Sequence, residues 1–233
     1  MQTIDTLALT LGAGWAAGIN LYAAVLVLGY LGMTGDVVLP PGLEVLSDPL
    51  VMTIAGIMYF IEFFADKTPG VDTGWDTLHT FIRIPAGALL AAGAASGFEV
   101  NQAAELAAAL VGGSLAAGSH FTKAGSRLLI NTSPEPVTNW TASILEDVAV
   151  IGGLWTALHY PIAFIVLLIL FILLAIWLLP KIWRAVKRLF QRIGRFFGGE
   201  RAPAATGTGP ETRAEQLKAL FQPTASTGED PKK

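Results

Sequence analysis

No cysteine occurs anywhere in the chain. Disulfides, thiolate nucleophiles and Cys-ligated metals or clusters are thereby excluded. Charge is scarce as well: 14% of the 233 residues are charged against 53% hydrophobic, and mean hydropathy is +0.56. That balance, with apolar blocks longer than a soluble core helix requires, points to a membrane protein. Catalytic signatures are lacking too. There is no H-E-x-x-H, no G-x-S-x-G elbow, no phosphate-cradling glycine loop and no paired nucleophile and base. An enzyme is not expected, nor is a cofactor or a metal. MQTIDTLALT carries no basic residue before the first apolar block, so a cleaved signal peptide is not expected and residues 7–32 read as a retained first span.

What the chain has is apolar runs. PIAFIVLLILFILLAIWLL (161–179) is uncharged and long enough to cross a hydrocarbon core about 30 Å thick. Six spans are expected, at roughly 7–32, 50–66, 77–97, 103–130, 138–158 and 161–179, giving an all-α polytopic fold over residues 1–180. The second is short and the fifth carries Glu146 and Asp147; both are expected inside the bundle, where neighbours shield polar groups. With six spans, every Lys and Arg falls on or near one side if both ends are cytoplasmic. A multi-pass inner-membrane protein with cytoplasmic termini follows. After Pro180, KIWRAVKRLFQRIGRFF alternates apolar and basic residues at helical spacing. Residues 181–198 are therefore expected as an amphipathic helix on anionic lipid head groups, and no nucleic-acid partner is expected from its basicity. The composition of 199–233 predicts a disordered cytoplasmic tail.

Sliding the chain against itself by 100 residues superposes GAGWAAGIN (12–20) on GGSLAAGSH (112–120), matching Gly18 with Gly118 and Asn20 with His120. An offset of 80 pairs Trp75-x-x-Leu-His79 with Trp155-x-x-Leu-His159, and one of 84 pairs Glu62 with Glu146. Their shared order predicts two repeats, 7–97 and 103–179. An odd number of spans per repeat makes them inverted. Gly14 and Gly18, with Ser114 and Gly118, are small-x-x-x-small pairs that allow close helix packing or a mid-membrane break. Such faces also suit contact with a second copy, so a homo-oligomer is a candidate assembly.

Carboxylates inside a membrane are costly and are retained beside a partner or a cavity. Glu62 and Asp66 lie one turn apart at the end of the second span, while Glu146 and Asp147 lie in the fifth. These four, with Asn20 and His120, are the candidate solute or ion site; Arg83, Lys123 and Arg127 are the candidate charge partners. Asp66, Asp72 and Asp76 are also readable as interfacial loop carboxylates. The run IEFFADKTPGVDTGWDTLHTFIR, with GINLY at 18–22, resembles the bacterial membrane-protein family called domain of unknown function 4126. Its motif is carried by Glu62, Ala65, Asp66, Lys67, Pro69, Asp72, Trp75, Asp76, His79, Thr80 and Arg83. The resemblance covers about residues 7–178 and implies a compact polytopic domain without naming a substrate. The leading expectation is a small transporter or channel with its polar site between the repeats. A non-transporting scaffold acting through oligomer contacts and its tail is the alternative.

Overall fold

The computed structural model describes residues 3–68, 70–96, 102–132, 136–197 and 217–218. Pro69 and the expected disordered tail, apart from 217–218, lie outside them. Among the described residues every regular element is helical: α1 (Thr3–Thr34), a short 3₁₀ helix (Pro41–Ser47), α2 (Pro49–Ala65), α3 (Val71–Ala95), α4 (Gln102–Ile130), α5 (Pro136–His159) and α6 (Pro161–Phe197). The chain divides into two compact units, Met1–Arg188 and Leu189–Lys233, and the first holds the bundle. Four helices, α1, α3, α5 and α6, are long and apolar enough to cross a membrane; the 3₁₀ helix with α2, bent by 68°, makes a fifth if counted as one. All six expected segments are helices. α4 is long enough at 29 residues, but its second half carries His120, Lys123 and Arg127 and it falls short in apolarity.

The first expected span is not one traverse. Asn20 has extended backbone angles (φ −147°, ψ 98°) in the middle of α1, and its Oδ1 accepts from the Ala23 N–H at 3.0 Å. That is the geometry of an N-cap, so one arm ends at Ile19 and a second starts at Leu21. The two arms run back along each other. At the bend, Asn20 Nδ2 donates to Asp147 of α5 at 3.0 Å. Further along α5, Gly153 abuts Trp15 and Ala157 abuts Gly12 in the first arm. Ile151 and Trp155 line a groove with Val27, Tyr30 and Leu31 of the second. A straight helix would separate Gly12 from Tyr30 by about 27 Å, yet both neighbour the same two turns of α5. The same holds at α3: Gly14 sits on Gly112, itself against Ala91, while the 3₁₀ helix beside Gly29 and Gly32 reaches Gly93 and Ser96. Thr3 and Thr34 therefore share one end of the bundle, with His159 and Pro161. Asn20, Asp147 and Ile182 of α6 lie toward the other. Within the bundle, Thr3 and Arg188 are at opposite ends, while the two chain ends expected to be cytoplasmic lie outside the described residues.

The offset-100 match has a different cause from symmetry. A Cβ at Gly14 would stand 2.6 Å from Gly112 Cα, and one at Gly18 would collide with the Ala116 carbonyl. Lys123 Nζ meets the Ile19 carbonyl at 3.2 Å, so the first arm and α4 lie side by side and run in the same direction. An in-plane two-fold axis would reverse that direction, so Gly18 and Gly118 are not equivalent. The likeness reflects two faces of one seam under the same demand for small residues. Trp75 with His79 and Trp155 with His159 share only a local motif, stacked rings at 4.2 and 4.8 Å, the first pair toward the buried polar end and the second at the exposed opposite end. Gly118 lies outside the seam with open space around its Cα. Gly118→Ala should be neutral or stabilise by up to about 1 kcal/mol through helix propensity, whereas Gly14→Ala should cost about 1–3 kcal/mol by overpacking. Melting of the two variants in detergent checks this, and equal melting would contradict the seam.

α1 occupies the centre, and α2 and α5 the edge, reversing the expected placement. In α2 only Ala55, Glu62 and Ala65 are buried. A helix with one polar stripe can sit at the periphery with that stripe turned inward, its other faces meeting lipid. Both helices do so.

Candidate functional site

Four polar stripes converge beneath the α1 bend. On α2, Glu62 and Asp66 are one turn apart. Asp76, Thr80 and Arg83 share a face of α3, as do His120, Lys123 and Arg127 on α4 and Asn139, Ser143 and Glu146 on α5, all at i, i+3/i+4 spacing. The resulting network is buried: Glu62, Arg83 and Arg127 are fully so, and Asp66, Asp76 and Lys123 are at most 4% exposed.

Arg83 joins α2 to α3 and α4. Its Nη2 donates to Glu62 Oε1 at 2.6 Å, its Nη1 to Asp76 Oδ1 at 3.1 Å, and the same Nη1 lies 3.3 Å from His120 Nδ1. Lys123 is the hub: its ammonium is 2.8 Å from Asp66 Oδ2, 3.4 Å from Glu62 Oε1 and 3.5 Å from Glu146 Oε2. Arg127 grips Glu146 with two hydrogen bonds, of 3.0 and 2.7 Å. It also donates to the Asp66 carbonyl and to Asn139. Forked pairing of this kind fixes orientation as well as charge.

Four carboxylates, Glu62, Asp66, Asp76 and Glu146, thus surround three cations, Arg83, Lys123 and Arg127. Three of their buried oxygens, Glu62 Oε2, Asp66 Oδ1 and Asp76 Oδ2, have no hydrogen-bond partner. Flanking the network, Asp147 is held by the neutral donors Asn20 and Tyr59, and Asp72 by Asn131, Asn139 and the Thr73 N–H. Lys67 donates to Ser143 at 3.2 Å and sits 3.0 Å from the Phe63 ring centroid. His79 meets the Tyr22 hydroxyl at 3.1 Å and stacks on Trp75; His120 Nε2 meets the Thr80 hydroxyl at 2.8 Å.

The structure therefore brings together Glu62, Asp66, Asp76, Glu146, Arg83, Lys123, Arg127 and His120, with Asn20 and Asp147 at the hairpin tip. Asp66, Asp72 and Asp76 are not interfacial loop groups: they are 3%, 0% and 2% exposed, because each finds its donors inside the bundle. Gly14 and Gly18 serve packing. The break expected near them occurs at Asn20 alone, since α4 runs unbroken past His120. Tyr59, Asn131, Asn139 and Ser143 escape the sequence reading. The last two share a helical stripe with Glu146, which is the signal that could have found them.

The basic segment after Pro180 continues α6 without interruption. Up to Arg188 part of its apolar side is turned to protein: Ile182 and Val186 are buried, and Ile182 packs on Gly125 of α4, while Trp183 stays exposed. The glycine opens a groove in α4 that the isoleucine fills, so one flank of the segment expected as an amphipathic helix over 181–198 packs on protein.

An all-helical bundle of apolar helices closed over a buried ionic network defines an integral membrane protein. Residues 7–181 match the family model described as Domain of unknown function (DUF4126). The chain belongs to that family. No curated protein and no solved structure matches it.

Proposed function

We propose that the protein moves a small solute or ion across the inner membrane, with the ionic network as the coupling element and the tip of the α1 hairpin as the moving part. The observation that carries this reading is the discontinuous helix seated on the network. The Ile19 carbonyl, at the negative end of the first arm, faces the Lys123 ammonium, while Asn20 at the amide end of the second arm holds Asp147. Half-helix termini meeting ionisable groups at depth are how many transporters build their sites. A network with one carboxylate in excess, and with unpartnered carboxylate oxygens, has room to take up a proton.

Topology follows from the same geometry. The two arms of α1 start and finish at the same end of the bundle, so α1 is a re-entrant hairpin with its tip at Asn20, and α2–α6 make five traverses. Connections 35–48 and 96–101 carry Asp36, Glu44, Asp48 and Glu99 but no Lys or Arg, whereas Lys67, Lys123, Arg127 and Lys181 lie toward the network end. That end is cytoplasmic, which puts Thr3 outside. The second arm, α2 and α3 run opposite to α4, α5 and α6, which supports an inverted relation of direction between the halves, without the Gly18 to Gly118 register.

Proteoliposomes loaded with a pH-sensitive dye test the reading. Under a potassium-diffusion potential the wild type should dissipate an imposed pH gradient faster than empty vesicles, and Glu62→Gln should lower that rate by roughly tenfold or more, as loss of a titratable coupling group does. A wild-type rate equal to that of empty vesicles would sink it. One observation favours a scaffold instead: each of the three cations already has at least two acceptors, as a rigid lock would. On that reading Glu62→Gln lowers melting and no flux is seen. Neither reading calls for catalysis.

A further inference from the structure

A fissure runs between α4 and α6. Its upper part, of about 390 Å³, is walled by Leu110, Leu115, Phe171 and Ala175. Leu179 is common to it and to a lower groove of about 700 Å³ that reaches α3. The lower groove has apolar walls, from Phe121, Ala124, Leu128 and Trp183, and a polar floor of Asp76, Thr80 and His120. Asp76 is 2% exposed; its Oδ1 is committed to Arg83, while its Oδ2 has no partner. A buried acceptor without a donor is costly unless an occupant supplies one. On the α6 wall the sign of charge is opposite: the Lys187 ammonium lies 5.9 Å from the ring of Trp183. The flank of the upper fissure is bilayer-facing, with Leu110 66% and Ile176 64% exposed, so an apolar chain enters from the membrane.

We infer that this groove holds a phospholipid with a primary-ammonium headgroup, its acyl chain along α4 and α6, its ammonium at Asp76 and its phosphate toward Lys187. A quaternary amine has no N–H to give to Asp76. An anionic lipid would place its charge near an acceptor and not a donor. The assignment does not rest on the transport reading, because it concerns the groove that Asp76 lines and not movement through the bundle.

The test uses the full chain in detergent with defined lipids, read by native mass spectrometry and by melting. Phosphatidylethanolamine should be retained about tenfold more than phosphatidylcholine, the ratio expected of one charge-assisted hydrogen bond, and should raise melting further. Ala124→Trp, which fills the groove away from the ionic network, should abolish both differences while melting as the wild type does in phosphatidylcholine. Equal retention of the two zwitterionic lipids would overturn the proposal as mere apolar filling. Stronger retention of phosphatidylglycerol would overturn it in favour of attraction to the basic end of α6. Preference surviving Ala124→Trp would place the lipid elsewhere and overturn it too.

Discussion

Replacing Arg83 with methionine should lower the stability of the purified protein by about 3–5 kcal/mol, the range for breaking a buried ion pair from one side. The reason lies in what is left behind. Arg83 is fully buried and neutralises Glu62 at 2.6 Å and Asp76 at 3.1 Å; methionine fills similar volume but leaves Lys123 and Arg127 to face four carboxylates, which already outnumber the three native cations. Adding Glu62→Gln to Arg83→Met should return part of the loss, since the uncompensated charge is removed with its partner. A coupling of about 0.5–3 kcal/mol is expected from the double-mutant cycle. Melting in detergent reads all three variants. If Arg83→Met melts with the wild type, the network is wetter than its burial implies and the coupling reading loses its base.

The second large effect is all-or-none. The absence of native cysteine gives a clean background for single-cysteine labelling with a membrane-impermeant maleimide in intact cells. Cysteines at Thr3 and Val38 should both react from outside, and those at Thr68 and Thr132 only after permeabilisation. The four positions lie outside the ionic network, and Val38 is 83% exposed. A six-span chain would instead hide Thr3 while exposing Val38. Protection of Thr3 together with Thr68 would therefore defeat the hairpin and restore the straight first span.

What could be read from the sequence divides along a physical line. Helices announce themselves through apolar runs, so the six segments were legible, as were Glu62, Glu146 and the three cations as partners, because a charge in an apolar helix requires one. Direction was not legible. Hydropathy over residues 7–32 is the same for a straight span and for a hairpin, and the only local mark of the reversal is Asn20, a residue that caps helices but also sits within them. The register of the offset-100 match was not legible for a related cause. Gly14, Gly18 and Gly112 are small because they touch across one seam, and similarity of demand imitates similarity of descent. Asp72 lies in, and Asp76 just after, a turn-like TPGVDTGW stretch, and both looked exposed; Asn131 and Asn139 from distant segments bury the first, and Arg83, two turns along α3, with Lys123 of α4 buries the second.

The fold-back of α1 has a consequence for biogenesis. The hairpin is synthesised before the helices that house it. Its surroundings are Gly112 and Ala116 of α4, Gly153 and Ala157 of α5, and Phe164 and Phe171, which clamp Trp15 edge-on at 6.0 and 5.9 Å. None of these exists when residue 34 leaves the ribosome, and at typical elongation rates Phe171 follows on the order of ten seconds later. Through that interval Asn20 has no Asp147 to donate to, and the alanine and glycine seam has no second face. A chain released before α6 would present an unhoused hairpin to the membrane's proteases, so maturation hinges on the last helix, and a reporter fused ahead of Thr3 would register completion of the whole bundle.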